Sequence, residues 1–215
     1  MGGTFDPVHE GHLAVARTVL ARFNLDLLLF VPALAPPHKA RCLTPFSQRL
    51  AMLEAAVGDD PRLSVSLLEA ERSAPSYTVD TLRELHRRLD PRQFYLIIGA
   101  DMFAEIRLWY HYSELFKLAH LIVVARPGFS LADMADRVAA LPGPFHLDPA
   151  GQAWLRDDGF RISYLPDVAI QVSSSQVRAL LAQGKPAAGL LPPPVQEYIR
   201  RHGLYAPTDP GLHIQ

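Results

Sequence analysis

Residues 2–12 read Gly2-Gly3-Thr4-Phe5-Asp6-Pro7-Val8-His9-Glu10-Gly11-His12, and this stretch decides how the chain folds. It runs straight into Leu13–Phe23, where Val15, Val19 and Leu20 recur at helical spacing with Arg17 and Arg22 between them. A glycine-rich loop that opens a helix is suited to an anion. Glycine has no Cβ to hold a bulky group away and tolerates positive φ. The first N–H groups of a helix lack intrahelical partners and point at whatever sits there. His9 and His12 are spaced to share one side of the helix start, so two imidazoles and the exposed amides make a site for phosphate oxygens. Plainer readings are a glycine turn, surface or packed histidines, or a zinc pair. The metalloprotease pattern needs two histidines four apart with glutamate after the first, and His9-Glu10-Gly11-His12 misses by one residue. The whole string is much less expected by chance than any of its parts.

Outward from this loop, Leu27–Val31 is a continuous apolar run suited to a strand covered on both faces. Thr44-Pro45 reads as an N-cap followed by proline in the first turn of a helix to Val57. Arg62–Leu68 alternates as a strand, and Thr78–Leu89 is helical with Leu82, Leu85 and Leu89 on one stripe. Phe94–Ile98 and His120–Ala125 are further buried strands, with a short helix over Ser113–Leu118 and another over Leu131–Ala140. Pro142–Gly159, rich in Pro, Gly and Asp, reads as a surface excursion. Arg161–Leu165 reads as a strand, Ser174–Gln183 as a helix ended by Gly184, and Pro194–His202 as a helix ended by Gly203. Strands alternating with helices predict an α/β fold, a doubly wound parallel sheet with helices on both faces. The expected organisation is a single domain over 1–205 with a loose tail at 206–215. In such folds the phosphate loop follows the first strand, yet here it begins at Gly2. Either that strand is missing or the start lies upstream of Met1, and the second is the expectation.

Composition narrows the function. The 215 residues are 49% apolar and 20% charged, which argues against disorder. A net charge of −1 with dispersed Lys and Arg argues against a nucleic-acid polymer as partner. Cys42, the single cysteine, cannot form an intrachain disulfide and sits in a Pro-rich loop as an incidental thiol. The N-terminus lacks a signal pattern and the apolar runs are too short to span a bilayer. A soluble cytoplasmic protein with no membrane partner is expected.

A second motif, Val172-Ser173-Ser174-Ser175-Gln176-Val177-Arg178, lies far along the chain. Serines before a helix are ordinarily an N-cap. Together with hydroxyls and helix amides, however, Arg178 offers a planar fork for phosphate. The two motifs together resemble the nucleotidylyltransferase superfamily, with its His-x-Gly-His core and its Ser-rich, Arg-bearing late element. Within it the chain looks most like bacterial nicotinate-nucleotide adenylyltransferases. The matches run from Gly2 to Tyr205 and include Pro36-Pro37-His38-Lys39, Ala74-Pro75-Ser76-Tyr77-Thr78, Ile97-Ile98-Gly99-Ala100-Asp101, Trp109-Tyr110, Arg126-Pro127-Gly128 and Leu191-Pro192-Pro193-Pro194-Val195.

This resemblance implies a Rossmann-like nucleotidyltransferase fold and the adenylylation of nicotinate mononucleotide by ATP. The mononucleotide's phosphate would attack the α-phosphorus, so no protein nucleophile is needed. Gly3, Thr4, Phe5, His9, His12, Ser174, Ser175 and Arg178 would hold ATP. His12 would meet the phosphoryl oxygens as charge grows, His9 the triphosphate, and Lys39 and Arg178 would neutralise phosphate charge. On the acceptor side Trp109 would stack on the pyridine ring, or else be a core tryptophan. Tyr77 and Thr78, at a helix start, suit the nicotinate carboxylate better than an amide, because the amide brings no negative charge. Asp101, past a strand's carboxyl end, would accept from a ribose hydroxyl or serve as an N-cap. No clustered Asp/Glu or His/Cys set marks a dedicated metal, so Mg2+ is expected to arrive with ATP. The alternatives are an adenylyltransferase with another acceptor (nicotinamide mononucleotide or phosphopantetheine) and a nucleotide-binding regulator without catalysis.

Overall fold

The computed structural model describes residues 1–34, 44–72, 75–89, 93–168 and 172–207. In chain order the elements are β1 (Gly2–Gly3), α1 (Glu10–Arg22), β2 (Leu28–Pro32), α2 (Phe46–Val57), β3 (Leu63–Val65), α3 (Thr78–Arg88) and β4 (Tyr95–Gly99). Then come α4 (Ala100–Ala104), a single-turn helix at Ile106–Leu108, α5 (Tyr112–Leu118), β5 (His120–Val124) and α6 (Leu131–Ala139). β6 (Phe145–Leu147), β7 (Ala153–Arg156), β8 (Arg161–Leu165), α7 (Ser174–Ala182) and α8 (Pro193–Arg201) complete the chain. It divides into two compact units, one of residues 3–32, 39–65 and 171–215, the other of residues 1–2, 33–38 and 66–170.

In the unit that carries the opening motif, β2 pairs in parallel with β3, Leu28 opposite Leu63 and Phe30 opposite Val65. The sheet order is β1-β2-β3. Gly2–Gly3, expected to belong to the loop alone, thus form a two-residue strand. α1 buries Leu13, Val15, Ala16, Val19 and Leu20 on the face the sequence spacing implies. Its last turn carries Arg22, a cation placed favourably at the negative end of the helix. The start of α2 differs from expectation. Pro45, not Thr44, is its N-cap, so Thr44 lies outside the helix and its backbone is available to other partners. β3 is shorter than the alternation of Arg62–Leu68 implied, because residues from Ser66 leave the ladder. α7 and α8 end at the expected glycines, Gly184 and Gly203, both left-handed with φ of 67° and 60°.

The other unit is built on a five-stranded sheet of order β4-β5-β8-β7-β6. β4, β5 and β8 are parallel, as the alternation of strands and helices predicts. β5 lies between two neighbours, which is why His120-Leu121-Ile122-Val123-Val124 is apolar on both faces; Leu121, Ile122 and Val123 are fully buried. Each such side chain contributes roughly 1.5–3 kcal/mol of burial.

The surface excursion expected over Pro142–Gly159 is corrected. It contains β6 and β7, paired antiparallel with each other, while β7 pairs antiparallel with β8, so this sheet is mixed. Asp148 closes the hairpin, its Oδ1 accepting from the N–H groups of Gln152 (2.8 Å) and Ala153 (3.2 Å). Arg156 is packed beside the rings of Phe160, Phe145 and Phe116, with centroid distances of 4.9, 5.8 and 5.9 Å. Its guanidinium is held by Asp158 at 2.6 Å. The apolar stripe of α3 is also shorter than read. Val79, Leu82 and Leu85 are buried, whereas Leu89 is the C-cap and is exposed.

Candidate active site

The opening motif is fixed by side chains that arrive from far away in sequence. Residues 4–8 leave the sheet and turn into α1, so their carbonyls have no ladder to satisfy them. Thr4 O accepts from Arg49 Nη1 (2.7 Å), Asp6 O from Arg178 Nη1 (2.6 Å) and Pro7 O from Ser174 Oγ (2.9 Å). The left-handed residue of the loop is Phe5, at φ 50°, and neither opening glycine has positive φ. Gly3 is required by packing and not by its φ. A Cβ on Gly3 would meet the Phe5 ring at 3.0 Å, so the glycine is needed for the ring to fold back over it. That ring is buried edge-on against His12 (5.1 Å) and Phe30 (5.6 Å), which anchors the loop to β2 and α1.

His9 and His12 come together as their spacing implies. His9 is the N-cap of α1 and is buried, and the two rings stack at 3.6 Å with 22° between their planes. The His9 backbone N–H donates to His12 Nδ1 at 3.2 Å. An Nδ1 that accepts leaves the proton of a neutral imidazole on Nε2. His12, half-exposed, thereby has a defined donor for an oxyanion.

The second motif joins the same loop. Ser173 is the N-cap of α7, its side chain accepting from Gln176 N–H (3.1 Å). Ser174 gives its one proton to Pro7 O, so its hydroxyl ties α7 to the loop. Arg178 divides its fork between Asp6 O and Ser175 Oγ (3.2 Å). Thr4, Phe5, His9, His12, Ser174, Ser175 and Arg178 are thus gathered around one loop within one unit. Lys39 and Cys42 lie outside the described residues, as does most of the Pro-rich loop around them.

Three residues at this loop, Arg49, Asp6 and Tyr205, were given no role of their own from sequence. Arg49 is 1% exposed and also donates from Nε to Thr44 O (3.0 Å). Burial pushes its guanidinium pKa down, and the nearby Asp6 carboxylate opposes that shift. Asp6, equally buried, accepts from Tyr205 Oη at 2.6 Å and from Thr44 N–H at 3.4 Å. Desolvation, and then the Asp6 carboxylate, push the Tyr205 hydroxyl far above its ordinary range. The available signal was chemical: an aspartate in the middle of a buried glycine-rich loop needs donors, and nothing local supplies them.

The acceptor-side candidates sit in the other unit. Tyr77 is the N-cap of α3 and Thr78 its first residue, as expected; Asp80 in the first turn pairs with Arg83 at 2.7 Å. Trp109 is half-buried and ends the single-turn helix. Next to it Tyr110 stacks on Tyr77, with 4.3 Å between ring centroids. Asp101 is not an N-cap. Gly99 holds that place, while Asp101 lies in the first turn of α4 and accepts from Arg126 Nε at 3.2 Å. Its carboxylate folds back over Gly99 and occupies the space a Cβ would need. Among the described residues no group of three or more His, Cys, Asp or Glu could hold a metal ion. No helix among them is long and apolar enough to cross a membrane.

The fold is that of the nucleotidyltransferases. Over 95% of this chain and 94% of the other, it is similar to Plasmodium falciparum nicotinic acid mononucleotide adenylyltransferase complexed with NaAD, at 19% identity and TM-score 0.73. Residues 1–180 match the sequence model of the cytidylyltransferase-like family, and the chain belongs to that family. A probable nicotinate-nucleotide adenylyltransferase of Geobacter sulfurreducens is 39% identical over 96% of this chain and 96% of its own length. One of Tropheryma whipplei, also named as probable, is 39% identical over 95% and 97%.

Proposed function

We propose that this chain transfers the adenylyl group of ATP to nicotinate mononucleotide, forming deamido-NAD and pyrophosphate in NAD biosynthesis. A phosphate oxygen of the mononucleotide attacks the α-phosphorus, and the bond from that phosphorus to the bridging oxygen of the β-phosphate breaks. Pyrophosphate departs with the bond's electrons. The acceptor supplies the nucleophile, so the protein has to position the two phosphates and stabilise charge. The observation that carries this reading is the stacked His9–His12 pair on a loop tied to α7, in a chain matching relatives named for the reaction over 96% of its length.

In this reading His12 donates from Nε2 to the phosphoryl oxygens as charge develops, while His9 orients its ring and borders the triphosphate. Ser175 and the first amides of α7 donate to phosphate, Ser174 holds the loop, and Arg178 and Lys39 neutralise charge. Trp109 stacks on the pyridine ring, Tyr77 and the α3 start receive the nicotinate carboxylate, and Asp101 accepts from a ribose hydroxyl. Mg2+ enters as part of the MgATP substrate. Residues 1–205 form the working domain, acting in the cytoplasm on small molecules, without a nucleic-acid polymer or membrane as partner.

The test is pyrophosphate release from MgATP with nicotinate mononucleotide, its amide and phosphopantetheine offered in turn. The acid is expected to give the highest kcat/KM. Preferred adenylylation of phosphopantetheine would overturn the acceptor, and MgATP binding without turnover on any acceptor would favour a regulator.

A further inference from the structure

The Tyr205–Asp6 contact joins the end of α8's extension to the phosphate loop across 199 positions of sequence. Asp6 contributes twice to this part of the molecule. Its carboxylate accepts from Tyr205 and Thr44, and its carbonyl accepts from Arg178. The peptide that orients Arg178 therefore belongs to the residue whose side chain Tyr205 holds. Tyr205 is itself left-handed at φ 58°, a conformation unfavourable for a bulky residue, so its backbone is bent to deliver this hydroxyl.

We propose that Tyr205 is a positioning residue for nucleotide binding, acting through Asp6 to hold the guanidinium of Arg178 where it meets the triphosphate. The inference rests on the adenylyltransferase reading and adds to it a role for the C-terminal segment. Without the hydroxyl, Asp6 loses its shortest side-chain bond and its peptide can turn. Arg178 then loses the carbonyl that fixes one arm of its fork. The pyridine-binding candidates in the other unit are untouched by this chain of contacts.

The experiment compares wild type, Tyr205→Phe, Arg178→Ala and the double variant by steady-state pyrophosphate release, varying MgATP and then the mononucleotide. Tyr205→Phe is expected to lower kcat/KM for MgATP about tenfold, the scale of one hydrogen bond to a charged group. KM for nicotinate mononucleotide should stay within twofold. In the Arg178→Ala background the same change should cost less than twofold, because the residue it acts through is gone. A wild-type-like Tyr205→Phe, or a full tenfold loss repeated in the Arg178→Ala background, would overturn the proposal; the second result would mean that Tyr205 only stabilises the fold. A second measurement needs no variant. Coupling is reciprocal, so saturating wild type with Mg2+ and β,γ-methylene ATP should slow amide exchange at residues 204–206 about tenfold. Unchanged exchange there, with the analogue bound, overturns the proposal even if Tyr205→Phe fails to fold. A wild type that neither turns over nor binds MgATP refutes the adenylyltransferase reading itself, and this inference with it.

Discussion

Replacing Arg49 with Met should destabilise the unit that carries the opening loop more than any exposed substitution in the chain. Arg49 is 1% exposed, with Nη1 2.7 Å from Thr4 O and Nε 3.0 Å from Thr44 O. Its guanidinium also lies 5.4 Å from the centre of the Phe46 ring and faces the buried Asp6 carboxylate. Methionine fills part of the volume but orphans two part-buried carbonyls and leaves Asp6 without its neighbouring cation. Leaving the two carbonyls unpaired costs about 1–3 kcal/mol each, and with the lost attraction to Asp6 a total of about 3–5 kcal/mol is expected. For a chain of this size about 1 kcal/mol shifts Tm by roughly 2–4 °C, so a fall of about 6–20 °C is expected. Both tryptophans, Trp109 and Trp154, belong to the other unit. The assay is therefore thermal unfolding by far-UV circular dichroism, with amide exchange in α1 and α2 to locate the loss. Arg49→Lys keeps the charge but not the fork and should fall between wild type and Arg49→Met. A Met variant that melts within about 2 °C of wild type would refute the argument that a buried cation holds this loop.

Other outcomes follow from the same geometry. His12→Ala should lower kcat by about 10²–10³ with an unchanged circular dichroism spectrum, and near-normal turnover would remove His12 from the chemistry. Arg156→Ala should cost about 2–3 kcal/mol in urea unfolding followed by Trp154 fluorescence, since it removes a mostly desolvated cation from three aromatic rings; a loss under about 0.5 kcal/mol would show those contacts to be incidental. Burial, and then Arg161, hold the His120 pKa below its ordinary 6.5, so the unfolded chain takes up the proton more readily. Stability from this group is complete above pH 6.5 and declines as pH falls through that value towards the lower folded pKa. His120→Asn should flatten the Tm profile there, and an unaltered profile would exclude His120 as its source. At lower pH a separate decline belongs to carboxylates such as Glu84, held near 2 by Arg87 and Arg88, and spans pH 4.5 down to 2.

Much of the fold was legible because its signals are local. The helical spacing of Val15, Val19 and Leu20, the apolar runs of β2, β4 and β5, and the glycines at 184 and 203 each report on their own neighbourhood. The failures also have physical causes. β6 and β7 are three and four residues long, too short for alternation to stand out among Pro, Gly and Asp. Leu89 continues the α3 stripe in sequence, but the helix has ended before it is reached. Thr44 looked like a cap by composition, whereas the backbone placed Pro45 there.

For the site, the sequence by itself determined the chemical inventory: two histidines spaced to share one side of a helix start, and a Ser-rich element that ends in Arg178. Only the tertiary structure decided how those groups are held. Phe5 rather than a glycine takes the left-handed turn, Ser174 and Arg178 bind loop carbonyls, and His12 receives the His9 N–H on Nδ1. Arg49 and Tyr205 carried no motif, and Asp6 stood in the opening one without a role of its own, because a buried polar group takes its partners from wherever the fold brings donors. Those donors lie 38 to 199 residues from Asp6 and next to it in space.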